Sequence, residues 1–184
     1  MTVFLSKVLP VSGCFVPVYR LQLYFTFARM ELKIRKGYKE DLPAVLGLIR
    51  ELAAYERAPD EVVVTIEDLE EDGFGERPIF RFFVAEADGI IVGMALYYIK
   101  YSSWKGKCVF LEDIIVTNEY RRFKIGQSLF KEVVKAAKAL HARRVEWQVL
   151  DWNEPAIRFY EKYDTQFMKE WLSCRLTEEQ INEF

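Results

Sequence analysis

The spacing of apolar residues changes several times along the chain, and each change marks an element. Met30 opens an alternating stretch, Glu31-Leu32-Lys33-Ile34-Arg35, that predicts a first strand. From Leu42 the period becomes helical. Leu42, Val45, Leu46, Ile49, Leu52 and Ala53 recur at three- and four-residue intervals and share one face. Glu40 and Asp41 are expected in the first turn of that helix, where the dipole favours acids, and Pro43 is tolerated there. A shorter helix is predicted over Ile66 to Asp72, stopping at Gly73-Phe74-Gly75. Strands are predicted over Ile79–Glu86, Ile90–Lys100 and Lys107–Val116, with Asp88-Gly89 as a hairpin signal between the first two. Ile125, Leu129, Val133, Ala136, Ala137 and Leu140 then predict a long helix, with Lys131, Lys135 and Lys138 pointing outward. Val145–Leu150 reads as a strand, Asn153–Tyr163 as a helix with Pro155 in its first turn, and Trp171–Leu176 as a closing strand. This order implies a single αβ domain with a mixed sheet and at least one parallel crossover.

Residues 1–29 differ from the rest. They are rich in Phe and Val, lack Asp and Glu, and are interrupted by Pro10 and Pro17. The charge-free run Val8–Tyr19 is too short for a membrane span, and no clear small-residue cleavage site follows an unbroken apolar region. We expect an upstream start with the functional domain over 30–184; a targeting or docking extension is the alternative. The whole chain of 184 residues is 51% hydrophobic and 29% charged, a globular composition. Its net charge of −2 excludes the strongly basic footprint of a phosphate-backbone binder. Residues 30–184 hold 23 bases against 28 acids, a balance suited to a cationic ligand. Cys14, Cys108 and Cys174 are far apart and His141 is the single histidine, so no zinc site and no metal is expected; the setting is read as reducing and cytoplasmic.

Chemistry concentrates between Leu111 and Leu129, LEDIIVTNEYRRFKIGQSL. An apolar strand passes through a basic turn into an amphipathic helix. Backbone N–H groups, the positive helix end and the side chains of Arg121, Arg122 and Lys124 together suit a phosphate or pyrophosphate. The same turn could equally be a solvated basic loop. Within the strand, Glu112 and Asp113 interrupt large apolar residues, so one acid faces the covering helices unless a bulge redirects it. Such a pair suits a general base or a cation site, or is simply exposed if the strand ends near Leu111. Tyr160 and Asn153 have the ordinary readings of core aromatic and helix N-cap.

Several strings, taken in order, carry a resemblance: 52-LAAYE-56, 68-DLEEDGFGERP-78, 97-YYIKYSSWKGK-107, 110-FLEDIIV-116, 121-RRFKIG-126 and 151-DWNEPAIRFYEK-162. Over residues 31–184 the chain resembles the GNAT acetyltransferase superfamily, and within it the spermidine/spermine and thialysine N-acetyltransferase branch. The resemblance implies a central mixed, mostly antiparallel sheet flanked by helices, and direct acetyl transfer from acetyl-CoA to a primary amine in a ternary complex. Polyamine enzymes of that branch tend to carry an acid where this chain has Ser102, so the thialysine type is the nearer match.

By the same resemblance Glu112 is the general base, acting through a water, and Tyr160 the general acid toward the leaving thiolate. Tyr55, Glu56, Trp104, Asp113 and Trp171, with Glu112, match positions on the amine side. Ile114, Ile115 and Val116 would hold the pantetheine arm. Arg121, Arg122, Phe123, Lys124, Ile125, Gly126 and Gln127 would grip the pyrophosphate, and Asn153, Glu154, Pro155 and Ala156, with Tyr160, would add CoA contacts. A homodimer acting on a small cationic amine is implied, with neither nucleic acid nor membrane as partner. Lys124 stands at a glycine position of the pyrophosphate pattern, and Asp164-Thr165 replaces a frequent Gly-Ala pair. These departures keep two other readings in view: a transferase acting on a protein or peptide amine, and a CoA-binding module with weak or no catalysis.

Overall fold

The computed structural model describes residues 30–184, so the expectations for residues 1–29 lie outside the described residues. The chain divides into two compact units, one reaching to Glu146 and one from Trp147 to Phe184. The first unit is built on five strands, β1 (Leu32–Lys36), β2 (Arg81–Ala87), β3 (Ile90–Ser102), β4 (Gly106–Val116) and β5 (Val145–Glu146), lying in that order across the sheet. All neighbours pair antiparallel except β4 and β5, which are parallel. Among the described residues three α-helices accompany them: α1 (Leu42–Tyr55), α2 (Ile66–Phe74) and α3 (Ile125–Ala139). The expected mixed, mostly antiparallel sheet with flanking helices is therefore present.

Strand alternation sorts the core by face. Phe82, Val84, Met94, Leu96 and Ile115 pack with Leu42, Val45, Leu46 and Leu48 of α1 and Leu69 of α2. The intervening residues Phe83, Ala85, Ala95, Tyr97, Val109 and Leu111 are buried on the other face. There α3 contributes Ile125, Leu129, Phe130, Val133 and Ala137. Asp88 and Gly89 both have positive φ, 50° and 82°, the backbone that a two-residue hairpin needs to match strand twist.

Three boundaries differ from the sequence expectation. Glu40 and Asp41 lie in a separate 3-10 turn, Lys39–Asp41, rather than in the first turn of α1. The tie that holds them there is tertiary: Arg35 on β1 grips both Asp41 oxygens at 2.6 and 2.8 Å and reaches Glu86 at 2.8 Å, while Asp41 also accepts the Tyr38 N–H. The second helix does not stop at Gly73 but runs through Phe74 and ends at Gly75, whose N–H bonds Glu71 O at 2.9 Å. Gly73 is present for packing, since a Cβ there would stand 2.8 Å from Phe80 Cζ. The strand expected over Val145–Leu150 is only Val145–Glu146, because its ladder to β4 covers Val109 and Phe110 alone.

In the second unit, α4 (Glu154–Glu161) forms within the expected Asn153–Tyr163 span, with Asn153 as N-cap. The closing strand over Trp171–Leu176 is not formed; those six residues are exposed and have no regular structure. Strand-prone side chains do not make a strand without a ladder partner. A last helix, α5 (Glu178–Asn182), follows, started by a reciprocal cap between Thr177 and Gln180. The Thr-x-x-Gln spacing that starts it is a capping-box signal visible in the sequence. Among the described residues no helix is long and apolar enough to cross a membrane.

Asp41 gives a first stability prediction. Its carboxyl is held below the usual range mainly by the Arg35 guanidinium, with the Tyr38 N–H assisting against the opposing effect of burial. The folded state thus releases the proton more readily than the unfolded chain. The pair stabilises above the ordinary carboxylate range near ~4 and loses that contribution as pH falls through and below it. Asp41→Asn should cost roughly 2 kcal/mol in urea unfolding at neutral pH. The gap between variant and parent should shrink once acid titrates the parent.

Candidate active site

The β3–β4 register opposes Leu96 to Asp113 and Tyr97 to Leu111, which leaves Glu112 unopposed in a β-bulge. One extra residue shifts the alternation by one step. Before the bulge, Phe110 stacks on Tyr98 at 5.3 Å and Leu111 is buried on the opposite face. After it, Ile115 joins the α1–α2 core, so Asp113, two residues earlier, lies on that same side. Glu112 is beside Tyr98, which also packs against this core. Two consecutive acids thus act on one face of the sheet, which strict alternation forbids.

Electrostatics show what stands near them. Burial pushes the Asp113 carboxyl up to about 6, with the charges of Glu112 and then Glu56 adding to the rise. Glu56, which ends α1, is itself raised by burial. The Tyr98 phenol is raised by burial first and then by the charge and hydrogen bond of Glu112. Three carboxylates therefore share one region, an arrangement that stores negative potential for a cation. Tyr55, one residue before Glu56, is half-buried at the end of α1.

On its other side β4 offers backbone. The β5 ladder ends at Phe110, so among the described residues no strand pairs with the β4 edge away from β3 from Leu111 to Val116. Ile115 is buried, and Ile114 and Val116 are half-buried. The chain then turns through a 3-10 segment, Asn118–Tyr120, into the basic loop. Arg121 fastens this loop in two directions: its Nε donates to Val116 O at 3.0 Å, and its guanidinium lies 5.1 Å from the centre of the Tyr55 ring. It therefore joins a residue expected on the amine side to the end of the strand expected to hold the cofactor arm.

Both Arg122 and Lys124 have left-handed backbones, with φ of 76° and 62°. Of the two, only Lys124 stands at a glycine position of the pyrophosphate pattern. No glycine or asparagine at 122 betrays the second strained position. Their side chains are exposed, as is Phe123, and Gln127 is half-buried. Ile125 is buried in the α3 core, so it can offer the loop only its backbone. A Cβ on Gly126 would meet only Val116 Cγ2, at 3.9 Å, which leaves open space over the first turn of α3. Left-handed backbone costs a side-chain-bearing residue roughly 1 kcal/mol. Lys124→Gly should therefore raise the thermal midpoint by a few degrees. An unchanged or lower midpoint would show that the chain compensates this strain.

The remaining expected site residues lie in the β3–β4 turn and in the second unit. Trp104 is exposed in the β3–β4 turn, six residues of β4 beyond Glu112 at Gly106, or about 20 Å of strand. Within one chain it is not brought to the acids. In the second unit, Asn153 Oδ1 accepts the Ala156 N–H at 3.3 Å, Pro155 fills the first turn, and Glu154 pairs with Arg158 at 3.1 Å. Tyr160 is buried, its ring 4.8 Å from that of Trp147 and 5.1 Å from that of Phe159. Its carbonyl accepts the Thr165 hydroxyl at 2.9 Å, so Thr165 closes the helix while Asp164 takes a left-handed φ of 53°. Trp171 is exposed.

A bulged β4 with an unladdered edge, followed by a basic turn into α3, makes residues 45–164 the informative span, and that span matches the acetyltransferase (GNAT) family. The chain belongs to the GNAT family. It is an acetyl-CoA-dependent N-acetyltransferase. The thialysine N-epsilon-acetyltransferase of Bos taurus is 39% identical over 82% of this chain and 95% of its own. The L-ornithine N5-acetyltransferase of Arabidopsis thaliana is 30% identical over 81% of this chain and 86% of its own. Among solved structures, an aminoglycoside N-acetyltransferase in complex with CoA superposes with a TM-score of 0.65 at 20% identity, covering 80% of this chain and 95% of that one. That likeness establishes the GNAT fold here and nothing finer.

Proposed function

We propose that residues 30–184 of this GNAT enzyme transfer acetyl from acetyl-CoA to the primary amine of a small cationic substrate of the thialysine, diamine or polyamine type. The observation that carries the reading is the bulge at Glu112, which gathers Glu112 and Asp113 on one face near Glu56. An alkylammonium has a pKa near ~10.4, so at neutral pH under ~1% is the free amine able to attack. Glu112 accepts the amine proton through a water, and Asp113 and Glu56 hold the substrate's positive charge. Tyr160 donates its hydroxyl proton to the leaving thiolate. The names of the thialysine and ornithine enzymes, both acting on side-chain amines of amino acids, support placing this chain on the thialysine side, as does Ser102.

Bound acetyl-CoA supplies the activated acetyl thioester. The donor set supports its accommodation: unladdered β4 backbone at Ile114–Val116 for the amide-rich arm, and open space over Gly126 beside Arg121, Arg122 and Lys124 for the pyrophosphate. Asn153–Ala156, at the start of α4, add the further contacts. Trp104 lies too far along the strand to reach the acids of its own chain, so its match to an amine-side position supports a homodimer in which it serves the partner's site. Cys108 and Cys174 are free thiols, the second exposed, which supports a reducing, cytoplasmic setting.

The test is release of CoA thiol at mildly alkaline pH with thialysine, ornithine, lysine, putrescine and spermidine in parallel. Turnover of thialysine or ornithine about tenfold above spermidine is expected, a difference of ~1.4 kcal/mol in transition-state binding. Spermidine in the lead would remove the argument from Ser102. Acetylation of none of them would overturn the small-amine reading.

A further inference from the structure

Charge is divided sharply between parts of this molecule. Residues 117–144 hold eight Lys and Arg against two acids, +6 within a chain of net −2, which leaves −8 for all the rest. Much of the excess lies on one line. Lys124 precedes α3, and Lys131, Lys135 and Lys138 follow it at intervals of seven, four and three residues. At ~100° per residue these positions fall within about 60° of one another around the helix, in a row about 21 Å long. All four are exposed. Lys135 pairs with Glu132 at 2.6 Å yet stays 70% exposed, and among the described residues the other three have no ion pair.

Helix stability does not explain the row. Like charges three or four residues apart weaken a helix, and only Lys138, in the last turn, gains from the dipole. Solubility would be served by either sign. The spacings along the axis, about 10, 6 and 5 Å, are comparable with the ~8 Å screening length at physiological salt, so the potential along the row is nearly continuous. It runs straight into the 121–127 loop. The acids Glu56, Glu112 and Asp113 lie on the α1 side of the sheet, and α3 covers the other side.

We infer that Lys131, Lys135 and Lys138 form a cationic track that draws the phosphates of acetyl-CoA to the loop, raising the rate of cofactor encounter on a protein whose remaining charge would repel an anion. The inference rests on the proposed cofactor position at residues 121–127. Opposite potentials on the two faces of the sheet then guide the anionic cofactor and the cationic amine to different sides. Guidance acts on association, since charges outside the contact alter encounter more than residence.

The test is stopped-flow binding of acetyl-CoA to the full chain and to a Lys131→Gln, Lys135→Gln, Lys138→Gln triple variant, at low salt and at about 0.5 M salt. Gln keeps helix propensity at these exposed positions, and a thermal melt checks the fold. At low salt the variant should associate about tenfold more slowly, with dissociation rate and saturated kcat within twofold of the parent. At high salt the two should converge. Equal association at low salt, or a loss residing in dissociation, overturns the track while leaving the proposed function intact. A parent chain that does not bind acetyl-CoA overturns both.

Discussion

Tyr160→Phe is expected to lower kcat by about 10²–10⁴-fold, the range for removing a positioned general acid, while acetyl-CoA affinity changes little. The substitution is well controlled by the structure. Phe keeps the ring contacts with Trp147 and Phe159 and leaves the Tyr160 carbonyl to accept from Thr165. Only the hydroxyl is lost, so the fold should be weakened by about 1 kcal/mol at most. Equilibrium binding of acetyl-CoA and steady-state thiol release, measured on one preparation, separate chemistry from binding. Normal turnover by the variant would remove Tyr160 from the mechanism and leave it a packing residue. A thiol of lower pKa as leaving group should narrow the deficit, because it needs less help from a proton donor.

Asp113→Asn should have the second large effect, and its signs in activity and stability are opposite. In the folded protein the Asp113 carboxyl keeps its proton up to about 6, for reasons of burial and of the neighbouring Glu112 and Glu56 charges. The unfolded chain releases that proton near ~4. Between those values the folded state binds the extra proton, so raising the pH through this window destabilises the fold. Asparagine removes the penalty. Above pH ~6 the variant should be more stable by roughly 2 kcal/mol, and below ~4 the difference should vanish. Activity should move the other way if the ionised carboxylate holds the substrate's cation, as proposed. The parent's kcat/KM should fall as pH drops through about 6, and Asp113→Asn should lie low across the range without that acid limb. Glu112→Gln makes the complementary experiment. It removes one of the charges that hold the Asp113 proton, so any residual acid limb should shift to lower pH. An acid limb unmoved in both variants would mean that neither carboxylate governs the profile.

Much of this protein was legible as a string of residues, and the legible parts are local. Helical spacing from Leu42, the Asp88-Gly89 turn, and the amphipathic run from Ile125 each depend on contacts or dihedrals within a few positions. The ordered motifs around Leu111–Leu129 and Asn153–Tyr160 were enough to point to the GNAT family, which the comparison over residues 45–164 bears out. Position 124 could be marked from the motif alone as one that demands unusual backbone, and its φ of 62° is of that kind.

What tertiary structure decided depends on partners distant in sequence. Whether Glu112 and Asp113 face the same way rests on a register shift against Leu96 and Tyr97, which no periodicity in β4 records. Strand propensity at Val145–Leu150 became two ladder residues, and at Trp171–Leu176 none, since a strand exists only where another backbone offers complementary hydrogen bonds. The helix dipole's preference for acids places Asp41 in a helix turn, but the structure ties it to Arg35, whose guanidinium is held in turn by Glu86 on the neighbouring strand. Sequence by itself determined the elements, the family and the residue types available for proton transfer. Their common orientation, and with it the proton affinity of Asp113, was settled only when nonlocal pairing displaced the alternation and burial removed water from the Asp113 carboxylate.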